Sequence, residues 1–306
     1  MLTSVAARSG SDITGDTRIF MVKFSDLIGR TVGNHYRIES LIGTGGYSAI
    51  FQATHLLLDR QVAIKVMSAP VTDSRRIERF EREAKLVSKL SHPNICGLFE
   101  FWFDDDGVPF LVMEKVNGLS LGQYLKEKGR LSLPHAASIA HGICQGLGFA
   151  HEKGIVHRDM KPENVMIASP DTDAELVKIL DFGTAKSLHD RYMKKLTETG
   201  YVPGTPGFMS PEQCMGRDVD ARSDIYSLTC MLYLMVAGRE IFKHKSPIIM
   251  MKMHIQDEPD LSAPELPPEL IPFLQLGFQK APEDRFQSAA EFDEGLAQIV
   301  RSVHAS

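Results

Sequence analysis

The dominant apolar period of this chain changes near Gly118, and no spacer marks the change. Before it, apolar and polar residues alternate in short runs bounded by turn residues, as strands with one buried face require. Tyr36-Arg37-Ile38-Glu39-Ser40-Leu41-Ile42 leads into Gly43-Thr44-Gly45-Gly46 and then Ile50-Phe51-Gln52-Ala53. Gln61-Val62-Ala63-Ile64-Lys65-Val66 gives a third strand, and two more are predicted near 97–102 and 109–114. One helix interrupts them: Ile77, Phe80, Ala84 and Val87 recur at three- and four-residue spacing until His92-Pro93-Asn94 stops the run. Beyond Gly118 helical spacing takes over. Ile139, Ile143, Leu147 and Ala150 mark one helix, opened by Ser132 with Pro134 in its first turn. An apolar helix follows over 223–237, then segments near 246–255, 267–278 and 287–301. A Gly/Ser- or Pro-rich linker would let the halves move apart. Its absence predicts one α+β domain over 27–301, with a small lobe (36–116) of five antiparallel strands and one helix, and a larger, mainly α-helical lobe (117–301). Residues 1–26, polar and aperiodic, read as a flexible tail.

Bulk properties exclude several classes. The net charge is −5, and basic residues are interleaved with acids, as in Arg75-Arg76-Ile77-Glu78-Arg79, so no nucleic-acid track is predicted. The most apolar stretch, Leu228 to Gly238, is far shorter than the roughly 18–20 residues of a membrane span, and no secretory h-region is visible. Cys96, Cys144, Cys214 and Cys230 form no CxxC pair. A reduced, cytoplasmic setting is the expectation.

The chemistry concentrates in four places. Gly43-x-Gly45-x-x-Ser48-x-Ile50 joins two strands, and such a loop lets backbone N–H groups approach phosphates; a plain hairpin would read the same way. No Gly-Lys-Ser/Thr follows, so it is not a Walker A loop. Lys65 lies on the next strand, about 20 residues on, where a point charge could hold phosphates. It needs an acidic partner, and the following helix offers Glu83, preferred for its place beside the apolar face, with Glu81 and Glu78 as rivals. In His157-Arg158-Asp159-Met160-Lys161-Pro162-Glu163-Asn164, a carboxylate, a cation and an amide oxygen stand at the spacing phosphoryl transfer needs: Asp159 to orient a hydroxyl, Lys161 for the migrating phosphoryl, Asn164 for a metal. Asp181-Phe182-Gly183 follows the predicted strand Val177-Lys178-Ile179-Leu180, and Asp181 supplies a hard oxygen for a divalent cation. A chance match to the octet is far less credible than a shared function.

With these motifs the chain resembles the eukaryotic-type protein kinases over about residues 36–300. Gly45-Gly46-Tyr47-Ser48, Ser210-Pro211-Glu212-Gln213 and Pro282-Glu283-Asp284-Arg285-Phe286 look most like bacterial Ser/Thr kinases. The resemblance implies the bilobal protein kinase fold, ATP and Mg²⁺ (Mn²⁺ as an alternative), and protein serine/threonine substrates. It assigns nucleotide contacts to Ile42, Gly43, Thr44, Gly45, Gly46, Ser48, Ile50, Ala63, Lys65, Met113, Glu114, Val116, Met166 and Asp181, with Met113 as gatekeeper and Glu114, Lys115 and Val116 as hinge. Metal ligation falls to Asn164 and Asp181, and catalysis to Asp159, Lys161, Lys65 and Glu83. By the same resemblance Glu212 pairs with Arg285, Asp224 holds the catalytic-loop backbone, and Val87, Leu98, His157 and Phe182 stack between the lobes. Lys161 and Thr205 favour Ser/Thr over Tyr as acceptor. Thr197 and Thr199 are expected phosphosites whose charge would meet Arg158, modified in trans within a transient homodimer. A pseudokinase would lack one of Lys65, Asp159, Asn164 or Asp181, and a small-molecule kinase would lack the Ser-Pro-Glu and Gly-Thr-Pro elements; all are present. Two departures stand out: Ser48 replaces the third glycine, and Thr229 stands where a glycine is usual.

Overall fold

The computed structural model describes residues 23–45, 48–67, 74–182 and 206–305. The small lobe is an antiparallel sheet in the order β1-β2-β3-β4-β6-β5, formed by Thr31–Val32, Tyr36–Thr44, Ser48–His55, Arg60–Met67, Leu98–Phe103 and Pro109–Glu114, with β6 before β5 in space. Ile38, Phe51, Val62, Ile64, Val66 and Val112 form its core. The central strand β4 is buried on both faces from Val62 to Val66, which takes Lys65 to 6 % exposure. Helix α1, Ser74–Val87, lies near the predicted limits.

The sheet has six strands where the sequence suggested five. β1 is only two residues long and shows no alternation; its pairing of Val32 with Tyr36 is visible only in three dimensions. A 3₁₀ turn at Phe24–Leu27 precedes it, with Phe24 and Leu27 packed on the sheet core and the Phe24 ring 6.2 Å from Phe51. The boundary drawn at 26 therefore falls inside an ordered turn.

The large lobe holds α2 (Leu121–Lys128), α3 (Leu133–Glu152), α4 (Pro211–Cys214), α5 (Ala221–Ala237), α6 (Pro247–Gln256), α7 (Leu270–Gly277) and α8 (Ala289–Ala305). α2 and the short α4 escape a periodicity search because neither is long enough to repeat. A second sheet, β7 (Gly118–Ser120), β8 (Val165–Ala168) and β9 (Leu176–Ile179), lies on α3. Two glycines set that approach: a Cβ on Gly142 would sit 2.8 Å from the Val177 side chain, and one on Gly146 2.8 Å from Ile179. Helix and strand can touch this closely only without side chains between them. α5 is buried along nearly its whole length, capped by Asp220, whose carboxylate accepts from the Arg222 N–H, and closed by Gly238 at φ +70°. Thr229, inside it, donates to the Ile225 carbonyl at 2.9 Å.

The lobes meet along one line. Ile95 bridges to Ile179, the Cys96 N–H donates to the Ile179 carbonyl at 2.9 Å, and the Ile179 N–H donates to the Asn94 carbonyl at 2.9 Å. The end of β9, and therefore Asp181 two residues on, is fixed against both lobes. Among the described residues no helix is long and apolar enough to cross a membrane.

Candidate active site

The sheet register places the small-lobe residues in neighbouring rows. Gly43 pairs with Ile50, Ile50 with Lys65, and Ala63 with Met113. Ile42, Gly43 and Thr44 end β2, Ser48 begins β3, and the Gly45 N–H donates to the Ser48 carbonyl at 2.7 Å, closing the turn. Gly46 lies outside the described residues. Met113 and Glu114 end β6; Val116 follows in the strand-free link to the large lobe, and Met166 lies on β8 beside Ser120.

Lys65 donates from Nζ to Asp181 Oδ2 at 2.8 Å. The sequence paired it with Glu83, whose side chain lies outside the described residues; the acid found on Lys65 is Asp181, 116 positions away in the chain (181 − 65). Burial alone would raise the Asp181 pKa, but the Lys65 ammonium, by charge and hydrogen bond and aided by His157 and Lys161, holds it below the usual carboxylate value. A charged Asp181 is the state that could grip a cation.

Below it the loop of residues 157–164 closes on itself. Asn164 Nδ2 donates to the Asp159 carbonyl at 2.7 Å and to Asp159 Oδ2 at 3.0 Å. With both amide hydrogens committed, Asn164 turns its carbonyl oxygen away, and that atom has no partner among the described residues. Lys161 Nζ donates to Asp159 Oδ2 at 2.7 Å. The Leu180 N–H donates to the Asn164 carbonyl at 2.8 Å, and His157 Nε2 lies 2.7 Å from the Leu180 carbonyl. Two side-chain groups result, Lys65–Asp181 and Asn164–Asp159–Lys161, joined through the main chain by the Leu180–Asp181 peptide and the Leu180 N–H on the Asn164 carbonyl. Among the described residues no cluster of three His, Cys, Asp or Glu side chains could hold a metal by itself. A cation here would take Asp181, the Asn164 amide oxygen and oxygens from a substrate, the hard-donor set that suits Mg²⁺.

Two non-glycine residues at this site carry left-handed backbone: Arg158 at φ +69° and Asp181 at φ +60°. Each costs of order 1–3 kcal/mol and persists only if held. Asp224 holds the first, accepting the His157 N–H at Oδ2 and the Arg158 N–H at Oδ1, each at 2.8 Å. His151 Nε2 lies 2.8 Å from the same Oδ2 and orients that carboxylate. Gln213 Nε2 donates to the Arg158 carbonyl at 2.7 Å. The His157 ring meets Phe182 edge-on at 4.8 Å, and Val87 and Phe182 belong to one buried cluster against which Leu98 packs. Glu212 receives both terminal nitrogens of Arg285, at 2.9 and 2.7 Å, and the Ser223 hydroxyl. At the lobe link, Lys178 Nζ donates to Glu114 Oε2 at 2.9 Å.

His151 and Lys178 were not found from sequence. Each acts through a residue 64 or more positions away, and neither sits in a motif. Thr197, Thr199 and Thr205 lie outside the described residues.

A family model described as "Protein kinase domain" matches residues 36–295. A probable serine/threonine-protein kinase of Corynebacterium efficiens is 39 % identical over 89 % of this chain, which spans 42 % of that relative. The serine/threonine-protein kinase PknA of Mycobacterium tuberculosis is 36 % identical over 90 % of this chain, which spans 63 % of it. The crystal structure of the Mycobacterium tuberculosis PknI kinase domain superimposes with a TM-score of 0.70 at 25 % identity, covering 89 % of this chain and 98 % of that one.

Proposed function

Since this chain belongs to the protein kinase family, we propose that it transfers the γ-phosphoryl group of ATP to serine and threonine hydroxyls of proteins. The Lys65–Asp181 ion pair from β4 and the end of β9 is tied through the Leu180 main chain to the Asn164–Asp159–Lys161 group of the 157–164 loop, and this convergence carries the reading. In support, the glycine-bearing turn joins β2 to β3, the strand beside Lys65, and the backbone N–H and C=O of Val116 in the strand-free link have no partner among the described residues and suit a purine edge.

In this reading Lys65 fixes the α- and β-phosphates. Asp181 and Asn164 hold Mg²⁺ or Mn²⁺, which when bound neutralises charge on the β- and γ-phosphates. Asp159 orients the acceptor hydroxyl and takes its proton. Lys161, already 2.7 Å from Asp159, places its charge where the migrating phosphoryl gains electron density. Glu83 remains the proposed partner of Lys65 when Asp181 turns to a metal. Catalysis is mainly positioning and electrostatics. Phosphorylation of Thr197 or Thr199 in a transient homodimer, answered by Arg158, is the proposed activating step. Intact-mass measurement and phosphosite mapping check it; fully active enzyme with both threonines unmodified rules it out.

The test is phosphoryl transfer from ATP to a generic basic protein and, separately, to small alcohols. Protein labelling that drops on the order of 10²-fold or more in Lys65→Met supports the proposal. Labelling of the alcohols alone would mean a small-molecule kinase. Nucleotide binding with no transfer would mean a scaffold.

A further inference from the structure

The peptide unit between Arg158 and Asp159 is planar and moves as one piece, so fixing its two polar ends fixes the direction from which the Asp159 side chain departs. Its N–H end points to His157 Nδ1 at 3.2 Å, and its carbonyl end accepts from Gln213 Nε2 at 2.7 Å. Arg158, on one flank of this unit, holds φ at +69°, so the unit would relax if released. Asp224 restrains only the peptides on the other side, through the His157 and Arg158 N–H groups. Gln213 is therefore the single described side chain that grips the carbonyl.

Gln213 is itself immobilised. It is 2 % exposed, and its Oε1 accepts from the Ser210 N–H at 3.0 Å while the Ser210 hydroxyl accepts from the Gln213 N–H, a reciprocal cap on α4. Its neighbour Glu212 is locked to Arg285 and Ser223. α4 closes the stretch that starts at Asp181, so the amide ties the end of that stretch to the residue that faces the acceptor hydroxyl.

We infer that Gln213 is a positioning residue for phosphoryl transfer: by holding the Arg158 carbonyl it aims the Asp159 carboxylate, and it does so only while α4 is in place. The inference rests on the kinase reading. Two variants separate its parts. Q213M keeps the volume and loses both amide functions. Q213E keeps the acceptor for Ser210 but presents a carboxylate to a carbonyl; once protonated, that carboxyl becomes a donor again. Steady-state transfer to a basic peptide is measured for wild type and both variants between about pH 6 and 9.5, which spans the values of about 8–9 to which burial can raise a carboxyl. At the upper pH kcat is expected to fall about tenfold or more in both, with KM for ATP unchanged, the mark of an interaction made in the transition state. Towards the lower pH the ratio of Q213E to wild type should climb, while that of Q213M stays flat. Wild-type kcat in Q213M, or parallel pH profiles for the two variants, overturns the inference. If Q213E does not fold, Q213M alone decides through kcat. Failure of the wild-type chain to transfer phosphate at all would instead count against the kinase reading.

Discussion

Arg285 is fully buried, and Glu212 nearly so, yet both are charged. Burial would raise the Glu212 pKa; the hydrogen bonds and charge of Arg285, with the Ser223 hydroxyl, lower it below its ordinary 4.5. The folded state therefore binds the Glu212 proton more weakly than the unfolded state does. Its contribution to stability is complete above about pH 4.5 and is lost as pH falls through the depressed folded value. Removing one partner of a buried pair strands the other, at a cost of about 3–5 kcal/mol. Glu212→Gln should lower the urea midpoint accordingly at pH 7, and the gap to wild type should narrow below about pH 4 as wild type loses its own charge. A gap that stays constant with pH would refute the pairing. Asp159→Asn makes a contrasting case at the same scale. The amide keeps the shape but cannot accept a proton, so transfer should fall on the order of 10²-fold or more while ATP affinity, read by calorimetry, holds. Asp159 and Glu212 were legible in the sequence because each sits in a motif. Their partners at this scale were less so: Arg285 came from family resemblance, and His151 had no signal, because one helical histidine looks like any other until Asp224 is brought to it.

At the element scale the departure at Thr229 finds its reason. Thr229 on α5 faces Gly277, the last residue of α7, and a Cβ on Gly277 would lie 2.4 Å from Thr229 Oγ1 and 2.7 Å from Cγ2. The side chain missing from one helix makes room for the one present on the other. Gly277→Ala should therefore destabilise by about 1–3 kcal/mol despite the better helix propensity of alanine, because the crossing is overpacked. Thr229→Ala removes both atoms in closest conflict and should recover part of that loss in the double variant, a coupling that a thermal-melt double-mutant cycle would read. Additive effects would mean that the helices simply shift apart. The sequence showed that Thr229 was unusual but not why, since Gly277 lies 48 positions further on (277 − 229) and carries no pattern of its own. Long helices and regular strands were legible through their periods. β1, α2 and α4 were not, since elements of two, eight and four residues have too few repeats to show one.

For the whole molecule, the proposed nucleotide site lies where the lobes meet, and its walls come from both. β4 supplies Lys65, β9 carries Asp181, and the line from Asn94 to Ile179 holds these together. A ligand that touches both lobes binds the assembled form and not the unfolded chain, so it stabilises by mass action: about 2.7 kcal/mol at a hundredfold excess over Kd. For a chain of 306 residues that is a rise in Tm of about 4–5 °C, from roughly 1.6 °C per kcal/mol. ATP with MgCl₂ or MnCl₂ should give this shift in a thermal melt. ATP with EDTA should give much less, because the triphosphate then meets the charged Asp181 carboxylate without a cation between them. Asp181→Asn relieves that repulsion and removes a metal ligand together, so the metal should add little to whatever shift ATP alone then produces. Lys65→Met should weaken the response in every case. If no combination of nucleotide and divalent cation moves the melt, the four side chains at 65, 159, 164 and 181 meet for some purpose other than holding a triphosphate.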